Sequence, residues 1–118
     1  MTQDRPTISV VIVSRGRPAS LSLCLMGVAR LVYAPYEIVV VADALGLEAA
    51  RALPFAAALK LVAFDEANIS AARNAGVLAA GGEIIAFIDD DAVPEPAWLA
   101  HFAAAFAQVL DFAAQIVG

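Results

Sequence analysis

Four apolar runs, each closed by a turn and followed by a stretch of helical spacing, constrain what this chain can fold into more than any other feature. Ile8-Ser9-Val10-Val11-Ile12-Val13 is a β-branched run bounded by Pro6 and by Ser14-Arg15-Gly16-Arg17-Pro18, so it reads as a buried strand ending in a turn. Tyr36-Glu37-Ile38-Val39-Val40-Val41-Ala42 is a second buried strand with Asp43 at its carboxyl end. Residues 58–64 alternate and carry Lys60, which places a third strand near an edge. Ile84-Ile85-Ala86-Phe87-Ile88 is apolar throughout and reads as a strand buried on both faces, and it runs straight into Asp89-Asp90-Asp91.

The intervening stretches carry helical spacing. Pro18 suits a first helical turn, and Leu21, Cys24, Leu25, Val28, Leu31 and Val32 form one stripe that stops before Pro35. An alanine-rich stretch from Leu45 to Leu53 predicts a second helix ended by Pro54. Ser70 or Asn68 caps a third that runs to about Ala80, ahead of Gly81-Gly82. Trp98, Leu99, Phe102, Phe106, Val109 and Leu110 trace a fourth, beginning near Pro96 and facing the sheet. Strand and helix therefore alternate, which predicts an α/β fold of three layers: a mostly parallel sheet, right-handed crossovers and helices on both faces. Ligands of such sheets bind at the carboxyl ends of the strands. Ser14 to Arg17, Asp43 and Asp89 to Asp91 all fall on that rim.

At 118 residues the chain is a single domain. Its hydrophobic share of 62% exceeds the roughly 45–50% of ordinary domains, which implies an apolar face covered by another subunit or by further polypeptide. A net charge of −5 argues against general affinity for nucleic acid. Cys24, the lone cysteine, allows no intrachain disulfide, is expected to be buried and fits a reducing compartment. The N-terminus lacks the basic and apolar pattern of a signal peptide. His101, Gln108, Asp111 and Gln115 interrupt the last apolar stretch, so no transmembrane segment is expected. These features predict a cytoplasmic protein, with a membrane-peripheral one as the variant.

Three adjacent aspartates at a strand end repel one another unless water, donors or cations sit beside them. On an extended chain Asp89 and Asp91 point to one side and can share an ion, while Asp90 points elsewhere. Mg²⁺ and Mn²⁺ prefer such oxygens and complete their shells with water and substrate phosphates. An isolated Asp-x-Asp reads first as a solvated acidic turn.

The surroundings change that balance. Residues 68–76 (Asn-Ile-Ser-Ala-Ala-Arg-Asn-Ala-Gly), 80–91 (Ala-Gly-Gly-Glu-Ile-Ile-Ala-Phe-Ile-Asp-Asp-Asp) and 94–99 (Pro-Glu-Pro-Ala-Trp-Leu) closely resemble the nucleotide-binding half of glycosyltransferase family 2. The likeness extends upstream to Ile8 to Ser14 and Glu37 to Asp43. It implies a GT-A fold, with a Rossmann-like half in which an Asp-x-Asp motif and Mg²⁺ or Mn²⁺ hold a nucleotide-diphosphate sugar for inverting transfer to an acceptor that the residues do not specify. On this resemblance Asp91 and Asp89 match the metal motif, with Asp91 the better ligand and Asp89 nearer the ribose. Asp90 is ambiguous between the two sides and is grouped with the substrate-binding residues. Asp43 matches the strand-two aspartate that contacts the base, Arg73 the arginine near the nucleotide, and Ser14 the small hydroxyl residue of the first loop. Val13, Arg15, Gly16 and Ala42 depart from the family pattern, which bears on base selectivity.

The family's acceptor half and its carboxylate base normally follow. Ile116-Val117-Gly118 reads as the opening of a further strand, so residues 1–118 are expected to be a donor-binding domain truncated before the acceptor half, with the general base beyond Gly118. The alternative is a catalytically incomplete domain acting in assembly through its apolar surface, with a homo-oligomer as one form. A phosphoacceptor receiver domain fits less well, because the acidic trio follows the fourth strand and the first ends in Ser14-Arg15-Gly16-Arg17. His101 has no second histidine nearby, and Trp98 belongs to a packed stripe.

Overall fold

The computed structural model describes residues 5–117. Its strands are β1 (Ile8–Ser14), β2 (Tyr36–Ala42), β3 (Leu59–Ala63) and β4 (Ile84–Asp89), and its helices are α1 (Pro18–Val28), α2 (Ala44–Arg51), α3 (Ile69–Ala79) and α4 (Trp98–Val117). A short 3₁₀ turn, Ala56–Ala58, leads into β3. All strand pairs are parallel and the sheet order is β3-β2-β1-β4. The chain therefore steps outward from β1 through β2 to β3 and then returns across the sheet to β4. Right-handed crossovers in opposite directions put their helices on opposite faces.

The two cores follow from this. Ile8, Val10 and Ile12 of β1 pack with Leu21, Cys24 and Leu25 of α1, Leu47 of α2 and Leu99 of α4 on one face. Val11 packs with Val39, Val41 and Ala72 of α3 on the other. This is the three-layer α/β arrangement expected from the alternation of elements. A Cβ on Gly76 would lie 2.6 Å from Val11 Cγ1, so glycine is what lets α3 approach the sheet this closely.

Several local expectations are corrected. Among the described residues β4 is an edge strand, paired only with β1, and Phe87 is 42% exposed, so the strand is not buried on both faces. An apolar run reports apolar neighbours but not which neighbours. α1 ends at Val28, after which the Leu31 N–H donates to the Val28 carbonyl and the Val32 N–H to the Pro96 carbonyl. Leu31 stays buried while Val32 turns out to solvent.

The larger correction concerns α4. Ile116 and Val117 do not open a strand; they continue a helix of 20 residues. Only its first turns reach the sheet: Leu99 is fully buried, and Trp98, Ala100, Phe102 and Ala103 pack against the core. Trp98 and Phe102 meet edge to face at 6.0 Å. Phe106, Val109, Leu110, Phe112 and Ile116 are exposed, so the stripe expected to face the sheet overshoots it. Residues Trp98–Ile116 are also, by length and composition alone, long and apolar enough to cross a membrane, unlike the expectation of no such segment, because a single Asp111 lowers the mean hydropathy only to 1.3. His101 lies exposed on α4, 3.8 Å from Glu95.

Candidate active site

β1 and β4 are neighbours, and the helix that leaves β1, α1, and the helix that enters β4, α3, lie on opposite faces, which makes the carboxyl ends of this pair the switch point of the sheet. Such a point leaves a crevice because no crossover covers it. A cavity of about 570 Å³ opens there. It is lined by Val13, Ser14, Arg15 and Arg17 from the end of β1, by Val41 and Phe64, by Glu66 to Ile69 and Ala72 at the start of α3, and by Asp89, Asp90 and Asp91.

The acidic trio alternates in exposure, with Asp89 and Asp91 facing solvent and Asp90 turned away from them, although the strand does not continue through it. β4 ends at Asp89 and the chain turns, with the Ala92 N–H donating to the Asp89 carbonyl at 3.0 Å. Asp90 consequently points inward, its side chain only 11% exposed. Ser14 Oγ donates to Asp90 Oδ2 at 2.8 Å, and Arg17 Nη1 donates to Asp90 Oδ1 at 3.3 Å. Asp89 and Asp91 remain exposed. Arg17 Nη1 also lies 3.8 Å from Asp91 Oδ2. Beneath the turn, the Cys24 thiol lies 3.5 Å from the Asp89 carbonyl. Burial, reinforced by the charges of Asp90, Asp91 and Asp89, pushes that thiol up to about 12. It is a packed core group.

Ser14, Asp89, Asp90 and Asp91 are thus brought together, whereas Asp43 and Arg73 stand apart from the cavity lining. Asp43 caps α2, accepting from the Gly46 N–H at 3.0 Å, and its other oxygen accepts from the Gly16 N–H at 2.9 Å. Both oxygens hold backbone, which turns the carboxylate toward the α1 and α2 side. Gly16 has a φ of +72°, which glycine adopts without strain, and this turn aims Arg17 at the aspartates. Arg73 lies on α3 with its guanidinium carbon 5.6 Å from the Phe87 ring centroid, over a small recess that it shares with Val11, Val13 and Asp89. Asp65 pairs instead with Arg15, at 3.0 Å.

The sequence places Arg15 and Arg17 on the strand-end rim but assigns neither a contact there. The signal was available: two of the chain's seven basic residues flank Gly16 at the end of the first strand. Asn68, expected as a possible cap, does cap α3, accepting from the Ala71 N–H at 3.0 Å, so the cavity abuts a helix N-terminus.

The family model of glycosyl transferase family 2 matches residues 9–117. The chain belongs to that family. Its fold resembles that of residues 1–349 of S. aureus TarS, with a TM-score of 0.74 at 22% identity over 86% of this chain and 32% of that one. The same protein solved with UDP-GlcNAc gives a TM-score of 0.75, covering 86% and 31%. The mannosyltransferase PcManGT from Pyrobaculum calidifontis, solved with GDP-Man and Mn²⁺, gives 0.68 at 27% identity over 82% and 31%. The sheet and its helices are accordingly those of a GT-A fold. The chain spans about a third of the length of each of these structures. No curated protein matches it.

Proposed function

We propose that this chain is the donor-binding part of a metal-dependent glycosyltransferase that takes a nucleotide-diphosphate sugar and inverts the configuration at the transferred carbon. The observation that carries the reading is the cavity at the β1/β4 switch point, lined by an acidic turn and two arginines. Its volume of about 570 Å³ falls within the roughly 300–1,000 Å³ of small-molecule sites. Family membership supports the same reading, as do the nucleotide sugars bound in two similar structures.

The residues divide the work by exposure. Asp90, with one oxygen held by Ser14 and the other by Arg17, fixes the turn. Among the described residues, no three His, Cys, Asp or Glu side chains converge to hold a metal. Asp89 and Asp91 are exposed oxygen donors, and this set fits Mg²⁺ or Mn²⁺ held by one or two carboxylates with diphosphate and water completing the shell. When bound, the ion offsets the charge that develops on the departing diphosphate. Arg15 and the N-terminus of α3 favour an anion in the same cavity. Asp43 acts here through the loop: by holding the Gly16 N–H it orients Ser14 to Arg17, in place of the direct base contact that the resemblance implies. Arg73, outside the lining, reaches the donor only from the Phe87 side. We place the acceptor site and the general base outside these residues.

Titration calorimetry with uridine, guanosine and thymidine diphosphates, each with and without Mn²⁺, tests the proposal. Mn²⁺-dependent binding of at least one is expected. Binding of none, by a chain whose circular dichroism shows it folded, overturns the donor-site reading.

The exposed half of α4 favours a second reading, in which the domain serves assembly through its apolar surface.

A further inference from the structure

Arg17 makes two contacts of unequal strength with the acidic turn. Toward Asp90 it bonds at 3.3 Å to a carboxylate that is 11% exposed and receives Ser14 Oγ on its other oxygen. The burial of Asp90 makes this the stronger of the two contacts, although Arg17 itself is half exposed. Toward Asp91 the separation is 3.8 Å and the two side chains are 57% and 63% exposed. Exposed pairs at the limit of contact are weak and screened by salt. The guanidinium is not placed there by chance of rotamer alone. Gly16, at a φ of +72° and anchored to Asp43, fixes where the Arg17 backbone begins.

A guanidinium 3.8 Å from Asp91 Oδ2 competes with a divalent cation for that oxygen through its charge. Such a cation carries twice the charge and approaches carboxylate oxygen to about 2.0–2.1 Å, far closer than Arg17 does. The cation therefore wins Asp91, while Asp90, buried and doubly bonded, keeps its arginine. We infer that Arg17 is a positioning residue that competes with a divalent cation for Asp91 and yields it when the cation arrives, while keeping Asp90 fixed. The inference rests on the donor-site reading for the purpose of the exchange, and on the geometry above for the exchange itself.

The test uses Mn²⁺ alone, titrated into the 118-residue chain and followed by the electron paramagnetic resonance signal of the free aqueous ion. Wild type is compared with Arg17→Ala, with Arg17→Gln, which keeps amide donors for Asp90 but no charge, and with each combined with Asp91→Asn. Removing the competing charge is expected to tighten Mn²⁺ binding by about three- to tenfold at low salt. That gain should shrink toward nothing near 1 M salt, where the screening length is about 3 Å. It should also disappear in the Asp91→Asn background. A purely structural arginine predicts the opposite sign, because a loosened turn binds metal less well. Unchanged or weaker Mn²⁺ binding in Arg17→Gln, a gain that survives Asp91→Asn, or no Mn²⁺ binding by any variant overturns the inference. If the gain appears but no nucleoside diphosphate binds the wild type, the exchange stands and the donor-site reading fails.

Discussion

Asp90 shows most clearly how one residue's surroundings assign its role. Among the described residues every buried side-chain oxygen and nitrogen has a partner, and Ser14 Oγ supplies the one on Asp90 Oδ2. Ser14→Ala removes that donor and leaves a buried carboxylate oxygen unpaired, which is expected to cost about 1–3 kcal/mol in urea unfolding. Arg15→Ala, which breaks the exposed pair with Asp65, should cost below about 1 kcal/mol. Equal losses in the two would mean that Asp90 is solvated. Glu37 is the corresponding anchor at the opposite end of the sheet, where it accepts from Ser9 Oγ at 2.6 Å and from Lys60 at 3.1 Å. Burial alone would raise its carboxyl, but hydrogen bonds from Ser9, the Gly81 N–H and Lys60, with the Lys60 charge, hold it below the ordinary 4.5. A depressed folded value stabilises the protein above the unfolded value and loses that contribution as pH falls through the folded one. Stability should therefore decline below about pH 4.5 with a smaller slope in Glu37→Gln; identical slopes would contradict the assignment. That Asp90 faces away from Asp89 and Asp91 was legible from alternation, but its pairing with Ser14 and Arg17 was not, because that depends on the loop after β1 lying beside the end of β4. That Ser14 and the trio share a rim was legible, since strand ends in a parallel sheet gather on one side.

Elements were easier to read than their neighbours. The β-branched runs and the turn residues after them place β1 and β2 to within a residue, and Lys60 marks β3 as an edge. What remained hidden was order across the sheet, and with it the second edge at β4, because hydrophobicity carries no address. α4 misled for a different reason. Ile116 and Val117 are β-branched, but the apolar spacing through Phe102, Phe106, Val109 and Leu110 continues the helix past the point where burial stops supporting it. Close approach between elements gives a sharper test. Gly76→Ala would put a methyl 2.6 Å from Val11 Cγ1 and 3.1 Å from Val41 Cγ2, both in the tightly packed face under α3. Overpacking of this kind costs about 1–3 kcal/mol, against the few tenths to 1 kcal/mol that alanine ordinarily gains over glycine in a helix. Chemical denaturation of Gly76→Ala should show net destabilisation, and a stabilised variant would mean that α3 sits farther from the sheet.

For the molecule as a whole, the consequence of α4 is surface. The radius of gyration is 15.1 Å, where a compact chain of this length has about 13.5 Å, and the accessible surface is 6905 Å² against roughly 6,100 Å² for its mass. The helix accounts for much of the excess: its 20 residues extend about 30 Å, and from Ala104 to Ile116 every one is exposed. Phe106 and Leu110 line a groove of about 320 Å³ with Ala103, Ala107 and Ile84, edged by Arg5 and Glu83, and continue the stripe that Leu99 and Phe102 bury. The high hydrophobic share of the sequence thus resolves into a core, the uncovered face of α4, and single exposed side chains elsewhere such as Val32, Leu78 and Val93. Water contact at such a face is unfavourable by about 25 cal/mol per Å², so the chain is expected to associate in solution and to bind an exposed-hydrophobe dye. Sedimentation velocity should show a weight-average mass rising with concentration. Phe106→Asp with Leu110→Asp should return a monomer and abolish dye binding with little change in the unfolding midpoint, because neither side chain belongs to the core. Leu99→Ala, in the buried part of the same helix, should instead cost about 2–5 kcal/mol. A wild-type chain that sediments as a monomer at all concentrations and binds no dye would show that α4 folds back and covers its own apolar face.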